Sequence, residues 1–360
     1  MIRVLLEGLV KRFGKVEALA GATLDVRPGE LTVLLGPSEA GKSTLARLIV
    51  VLDTLDEGEI YFDGKVIHDQ PTASRKVGYV PQGCGLWPHL SVAENVGYGL
   101  KVKGVGRRER KSRVADVLSA VGIDSLADRR PPTLTDLQGR QTALARALAI
   151  EPSLLLLDEP FTGLDGRARV EFRETVRRIA SETAVTTLIL TADAGDALAL
   201  ADRLAVMDFG KVVQVGTSSE LYNRPANLFV ARLLGPTNQF HGQVESVDTR
   251  GDAVVRTPLG RLIGRCHLGT PTVGLPVTLL IRPEALGLGP VPVGSNRFAA
   301  TVERLVFLGE TREIRLRGPG DWPIVVKSLQ SQSNSLREGQ SLSVSVAPDA
   351  VVILPGKYAS

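Results

Sequence analysis

The stretch Gly36-Pro37-Ser38-Glu39-Ala40-Gly41-Lys42-Ser43-Thr44 constrains this chain more than any other. It follows an apolar run over 31–35 and precedes Leu45, Leu48, Ile49 and Leu52 at helical spacing, so the order is strand, glycine-bounded loop, helix. The spacing fits G-x-x-x-x-G-K-S/T, a phosphate-binding loop. Gly36 and Gly41 allow a tight curl in which backbone N–H groups face a triphosphate, and the following helix adds its positive end. Lys42 would reach the β- and γ-phosphates, and the Ser43 hydroxyl would bind Mg2+. Glu39 is discordant, an acid beside a triphosphate, unless it points outward.

A length of 360 residues suits two or three domains, and an apolar content of 43% suits packed cores. A net charge of +4 is too mild to indicate nucleic acid, for which a clustered basic stripe is expected. Cys84 and Cys266 supply neither a disulfide framework nor a zinc spacing, which fits a reducing cytosol, and Cys266-His267 is a poor metal candidate. The start Met1-Ile2-Arg3-Val4 does not read as a signal peptide. No apolar run approaches the ~20 residues of a membrane-spanning helix, so work at a membrane would require other chains.

Residues 2–10 and 22–33 read as short strands with a Pro28-Gly29 turn, and Phe13 on the first connection is either a packing residue or an adenine-stacking ring. Residues 58–65 suggest a hairpin around Asp63-Gly64, and residues 77–82 a strand ending in Gln82. Ser91 and Glu94 form a capping-box pattern. Residues 104–130 carry Arg107, Arg108, Arg110, Lys111 and Arg113, then Val114, Val117, Leu118 and Val121 at helical spacing, which reads as a helical insertion with a solvated basic face. Residues 153–159 are an apolar run ending in Asp158-Glu159, as for a strand buried on both faces of a parallel sheet. Ligands of open α/β sheets bind at that strand end. Asp158 is therefore a candidate for holding Mg2+, and Glu159 for polarising an attacking water. From about 240 onward, short β-like runs separated by turns recur: 242–247, 253–257, 277–281, 299–305, 313–317, 324–326, 341–346 and 351–354. These suggest a small accessory barrel.

Together these motifs resemble the ATP-binding subunit of an ABC importer with a C-terminal TOBE barrel, over nearly the whole chain. The carriers are residues 36–44 (Walker A), Gln82 in Tyr79-Val80-Pro81-Gln82 (Q-loop), residues 154–159 (Walker B) and Thr162-Gly163-Leu164-Asp165 (D-loop). Gly235-Pro236-Thr237-Asn238, Ile281-Arg282-Pro283-Glu284 and Phe307-Leu308-Gly309 look closest to the ferric-iron and polyamine branch. The resemblance implies an α/β P-loop ATPase over 1–235, RecA-like with a helical insertion at about 86–150, then an all-β, OB-like TOBE domain over 236–360. It implies ATP and Mg2+ as cofactors. Nucleotide contacts would come from Phe13, Gly36, Pro37, Ser38, Gly41, Lys42, Ser43, Thr44, Gln82, Thr135, Gln138 and Asp165, metal contacts from Ser43, Gln82 and Asp158, and catalysis from Glu159. Two such subunits would sandwich two ATPs at the cytoplasmic face of the membrane. They would drive transmembrane permease subunits served by a solute-binding protein, with the permease gripping near Trp87-Pro88-His89. No nucleic-acid partner is expected.

Two departures from the family pattern bear on turnover. Where the family has Leu-Ser-Gly-Gly-Gln, this chain has Leu134-Thr135-Asp136-Leu137-Gln138. Leu137 would crowd the approach of backbone N–H groups to the other subunit's γ-phosphate, and Asp136 would bring negative charge towards it. An uncompensated pair at ~4 Å and an effective dielectric of ~20 costs about 4 kcal/mol, whereas a tenfold effect needs only ~1.4 kcal/mol. The same residues read locally as a capping box, Thr135 with Gln138. The family's switch histidine is replaced by Ala192 in Thr191-Ala192-Asp193, and none of His68, His89, His241 and His267 aligns there. The expected activity is solute import coupled to ATP binding and hydrolysis, with turnover slowed by Asp136, Leu137 and Ala192. The alternative is a nucleotide-binding subunit with impaired hydrolysis, serving as a degenerate or regulatory half of the motor.

Overall fold

The computed structural model describes residues 1–67, 70–71, 74–249, 251–289 and 294–356; His68 lies outside them. The chain divides into two compact units, Met1–Ser218 and Ser219–Ser360.

The first unit begins with β1 (Val4–Phe13) and β2 (Val16–Val26), which pair antiparallel. The central sheet starts at β3 (Leu31–Leu35), followed by α1 (Lys42–Ile49). Next come β4 (Glu57–Phe62), β5 (Lys65–Val66) and β6 (Val77–Val80), then the helices α2 (Val92–Val102), α3 (Arg107–Ala120) and α4 (Asp136–Ala149). The remainder is β7 (Leu154–Asp158), α5 (Gly166–Thr183), β8 (Thr186–Thr191), α6 (Ala194–Leu200), β9 (Arg203–Asp208) and β10 (Lys211–Gly216).

The strands form two sheets, β2-β1-β4-β5 and β10-β9-β3-β8-β7-β6. In the second, β3, β6, β7, β8 and β9 are parallel and β10 pairs antiparallel on the edge. Every residue of β3, β7 and β8 is buried, as suits strands covered on both faces, and Thr32, Thr186, Thr187 and Thr191 are buried along with their apolar neighbours. Both expected capping boxes are present, Ser91 with Glu94 on α2 and Thr135 with Gln138 on α4. The hairpin at Asp63-Gly64 is also present, with both residues at positive φ.

The second unit opens with α7 (Ser218–Asn223) and α8 (Leu228–Leu234). A barrel of β11 (Asn238–Val247), β12 (Asp252–Thr257), β13 (Gly260–Arg265), β14 (Pro276–Ile281) and β20 (Val351–Pro355) follows, closed in the order β11-β12-β13-β20-β14. The strands β15 (Gly287–Leu288), β16 (Asn296–Phe307), β17 (Thr311–Arg317), β18 (Pro323–Leu329) and β19 (Ser341–Val346) form a separate sheet, β15-β19-β16-β17-β18. The eight apolar runs thus sort into a barrel and a second sheet, which share one core that includes Phe240, Leu279, Ile353, Phe298, Ile314 and Val344. Strands β13 and β15 carry too little apolar sequence to stand out beforehand.

The division between units falls ahead of α8, earlier than the 235/236 boundary expected from composition, and physical ties within the second unit account for it. Leu228 and Ala231 pack with Leu280, Val352 and Leu354. The Arg282 guanidinium donates to the carbonyls of Ala231 (2.9 Å), Gly235 (2.9 Å) and Tyr222 (3.2 Å), and lies 4.1 Å over the Tyr222 ring.

Candidate functional site: a phosphate-type cleft at the end of the parallel sheet

Three strand ends converge because β8 lies between β3 and β7. Beyond β3, the Gly36 N–H donates to the Thr191 carbonyl at 3.2 Å, and beyond β7, the Glu159 N–H donates to the Leu190 carbonyl at 2.9 Å. The loop after β3, the acids after β7 and Ala192 after β8 therefore meet at one edge, where a parallel sheet leaves a crevice. A cavity of about 990 Å3 opens there, lined among others by Ser38, Lys42, Ser43, Thr44, Gln82, Glu159 and Ala192.

The loop geometry depends on its two glycines. A Cβ at Gly36 would sit 2.6 Å from the Met207 carbonyl oxygen, and one at Gly41, where φ is 103°, would sit 2.4 Å from the Ala18 carbonyl oxygen. Lys42 is 5% exposed, and its Nζ donates to the carbonyls of Gly36 (2.8 Å) and Pro37 (2.9 Å). The same Nζ lies 3.5 Å from Glu159 Oε1, so the loop's cation and the strand-end acid are within ion-pair reach. Glu39, at φ 70°, is exposed on the cavity rim and makes no ion pair with Lys42.

Asp158 sits beneath this pair, buried. It accepts from the Ser43 hydroxyl at 3.2 Å and from the Tyr79 hydroxyl at 3.4 Å. Burial pushes the Asp158 carboxyl above the usual carboxylate range. Tyr79 is pushed up to about 12, first by burial and then by the negative charge of Asp158. Glu159 is held in the left-handed region, φ 47°, and accepts from the Thr162 hydroxyl at 3.3 Å. A hydroxyl and a carboxylate 3.2 Å apart are hard oxygen donors of the kind Mg2+ takes alongside phosphate oxygens. Among the described residues no cluster of three His, Cys, Asp or Glu side chains could hold a metal by itself.

Two arginines on α4 brace the cleft: Arg140, which motif reading passed over, and Arg146, which lies in the family-like stretch Ala143-Leu144-Ala145-Arg146-Ala147-Leu148. Arg140 on α4 donates to the Gln82 carbonyl at 2.5 Å and to the Thr162 carbonyl at 2.8 Å, joining the segments that follow β6 and β7. Arg146 donates to the carbonyls of Cys84 and Gly85, both at 2.6 Å, and lies 5.0 Å over the Trp87 ring. These contacts cross 22 positions of sequence for Arg140 to Thr162 and 58 to 62 for the others, so no local pattern announces them. Beyond Ala192, the buried Asp196 is gripped by Arg169 at 2.7 Å, and Arg169 also meets Asp193 at 2.9 Å.

Other candidates stand outside the cleft. Thr135 and Gln138 engage each other in the capping box at 3.0 and 3.3 Å. Asp165 caps α5 by accepting from the Ala168 N–H at 2.9 Å. Phe13 ends β1, with Lys11 5.3 Å from its ring; its hairpin partner Val16 lines the cavity and Phe13 does not. Phe209, which the sequence reads only as part of the Asp208-Phe209-Gly210 turn between two strands, does line it.

Comparison with known proteins agrees with this geometry. The ABC transporter family model matches residues 19–162 and the TOBE domain model matches residues 279–354. The chain is 38% identical to a sulfate/thiosulfate import ATP-binding protein CysA of Ralstonia nicotianae, over 93% of this chain and 92% of that protein. It is 37% identical to a spermidine/putrescine import ATP-binding protein PotA of Rubrobacter xylanophilus, over 99% and 94%. Among solved structures it resembles the dimeric ATP-binding cassette MJ0796 in a post-hydrolysis state bound to ADP and Pi, with 29% identity and a TM-score of 0.55 over 60% of this chain and 98% of that one. With the phosphate-type loop, the strand-end acids and the β-rich second unit all in place, the chain belongs to the ATP-binding subunits of ABC transporters that carry a TOBE domain.

Proposed function

We propose that this chain binds Mg-ATP in the cleft at the end of the parallel sheet and hydrolyses it to drive solute import. The observation that carries this reading is the meeting of Lys42, Ser43, Asp158 and Glu159 at one edge, through contacts of 3.5 Å or less. Lys42 binds the β- and γ-phosphates in place of its present loop carbonyls. Ser43, Asp158 and Gln82 hold the metal, whose bound form supplies charge neutralisation for the phosphates. Glu159, freed from Lys42 once phosphate takes that cation, orients and polarises the attacking water. Thr135, Gln138 and Asp165 lie away from this chain's own cleft, as suits groups that reach the nucleotide of a second subunit. The dimeric state of the ADP-bound relative supports that arrangement.

Among the described residues no helix is long and apolar enough to cross a membrane. The import relatives support a chain at the cytoplasmic face of the membrane that works with transmembrane permease subunits served by a solute-binding protein. The two named relatives are import ATP-binding proteins for an oxyanion and for polycationic amines, at 38% and 37% identity. That motors of similar identity serve solutes of opposite charge supports the reading that solute choice lies in the partner subunits. Both relatives are import proteins over nearly their full length, which favours a working motor over a degenerate half; Asp136, Leu137 and Ala192 then adjust its rate. The test is Mg-ATP titration and phosphate release with Lys42→Ala and Glu159→Gln, on the chain co-purified with its membrane partner. Nucleotide affinity unaffected by Lys42→Ala would sink the assignment.

A further inference from the structure

Two β-hairpins in the first unit turn through two residues that both have positive φ. In one, Asp63 (φ 49°) and Gly64 (φ 75°) join β4 to β5; in the other, Phe209 (φ 39°) and Gly210 (φ 74°) join β9 to β10. Such turns favour Asn, Asp or Gly at both central positions, because a left-handed backbone crowds a larger side chain. Asp63 obeys that rule and Phe209 breaks it. Packing does not explain the exception: Phe209 is 85% exposed, more so than Phe13 at 48% or Phe307 at 65%. A bulky ring in a disfavoured conformation with no hydrophobic burial is the pattern expected where a side chain is kept for a ligand.

The turn is also firmly mounted. The Gly210 N–H donates to the Ala40 carbonyl of the phosphate-type loop, and the Ala20 N–H of β2 donates to the Gly210 carbonyl, both at 3.0 Å. A Cβ on Gly210 would come within 2.9 Å of Ala18 and Ala20 backbone atoms, so this contact is close. Phe209 thus stands on a hairpin tied at once to the phosphate loop and to the strand bearing Val16. The cleft it lines with Val16 and Ala18 is otherwise dominated by polar and charged groups such as Lys42, Ser43, Gln82 and Glu159. A nucleoside triphosphate has one polar end and one planar aromatic end, and the apolar part of the cleft suits the latter.

We propose that Phe209 is a specificity-determining residue of this cleft, its ring forming an apolar wall against the nucleobase. The inference rests on the nucleotide-site reading above and assigns its base end. The ring selects for a base-bearing triphosphate and does nothing for the phosphates themselves.

The test compares Mg-ATP with Mg-tripolyphosphate by calorimetric titration on the full chain. Phe209→Ala should weaken ATP about tenfold and leave tripolyphosphate unchanged, and Phe209→Trp should keep ATP affinity with an indole emission change on adding ATP but not tripolyphosphate. Phe209→Asn, the residue the turn prefers, should raise the melting temperature of the nucleotide-free chain yet weaken ATP as Phe209→Ala does. A merely structural role for Phe209 would not produce that opposition. ATP affinity within twofold of the parent in Phe209→Ala and Phe209→Asn overturns the proposal, as does an equal loss for tripolyphosphate. A parent chain that binds tripolyphosphate and ATP alike overturns it too while leaving the phosphate site standing, whereas a parent that binds neither removes the nucleotide-site reading itself.

Discussion

Asp158 shows how one residue can be costly in the empty protein and necessary in the loaded one. Its carboxylate is buried against two hydroxyls, and burial holds its pKa above the usual range. A carboxyl raised in the folded state contributes stability that is complete below its unfolded pKa and is lost as pH rises through the folded value. Asp158→Asn should therefore raise the melting temperature of the nucleotide-free chain at neutral pH, flatten its decline above about pH 4, and abolish stabilisation by Mg2+ with ATP; scanning calorimetry across pH measures all three. Glu159→Gln should lower turnover by about 10²-fold or more, the usual loss on removing a general base, with ATP affinity kept or raised as the 3.5 Å competition for Lys42 disappears. Ala192 lines the cleft with a methyl side chain, which cannot hydrogen-bond phosphate or water. Ala192→His should raise kcat severalfold with little change in KM, measured by phosphate release, if the replaced histidine is what slows this motor.

At the scale of elements, short-range chemistry sets where helices begin and long-range contacts set where they lie. The capping box on α4 is local: Thr135→Ala should cost about 1 kcal/mol in denaturant unfolding, and this cost is separable from any effect of Thr135 on the partner's nucleotide. Asn95 on α2 works over a longer reach. It is fully buried, accepts from the Trp87 N–H at 2.9 Å and donates to the carbonyls of Trp87, Leu90 and Ser91 at 3.0–3.2 Å, pinning the Trp87-Pro88-His89 loop to the helix. Asn95→Ala takes the side-chain partner from the part-buried Trp87 N–H and Leu90 carbonyl, while the Trp87 and Ser91 carbonyls keep backbone donors, and should destabilise by roughly 1–3 kcal/mol. The same variant should loosen the loop that the family resemblance marks as the permease grip, lowering transport-coupled ATPase activity more than basal activity.

On the scale of the whole molecule, each unit has a core of its own, around Leu34, Leu156 and Leu190 in the first and around Phe240, Leu279 and Val344 in the second. A fragment comprising residues 219–360 should therefore fold and unfold cooperatively alone, with a β-rich circular dichroism spectrum, whereas one starting at 236 should be less stable for want of the carbonyl partners of Arg282. Glu159→Gln with saturating Mg-ATP should shift the full chain from monomer to dimer on size exclusion, as expected if two clefts close face to face.

Much of this protein was legible in the order of its residues. The strand-loop-helix around Lys42, the buried strand ending at Asp158 and the caps at Ser91 and Thr135 are written in neighbouring side chains, because backbone conformation and capping are decided within a few positions. What neighbours cannot specify is which distant segments meet. The threading of β8 between β3 and β7, the reach of Arg140 to Gln82 and Thr162, the sorting of eight apolar runs into a barrel and a separate sheet, and the lodging of Phe209 beside the phosphate loop all follow from strand pairing and packing between segments tens to hundreds of residues apart. Those pairings lower the free energy only when the whole core closes, so tertiary structure alone decides them.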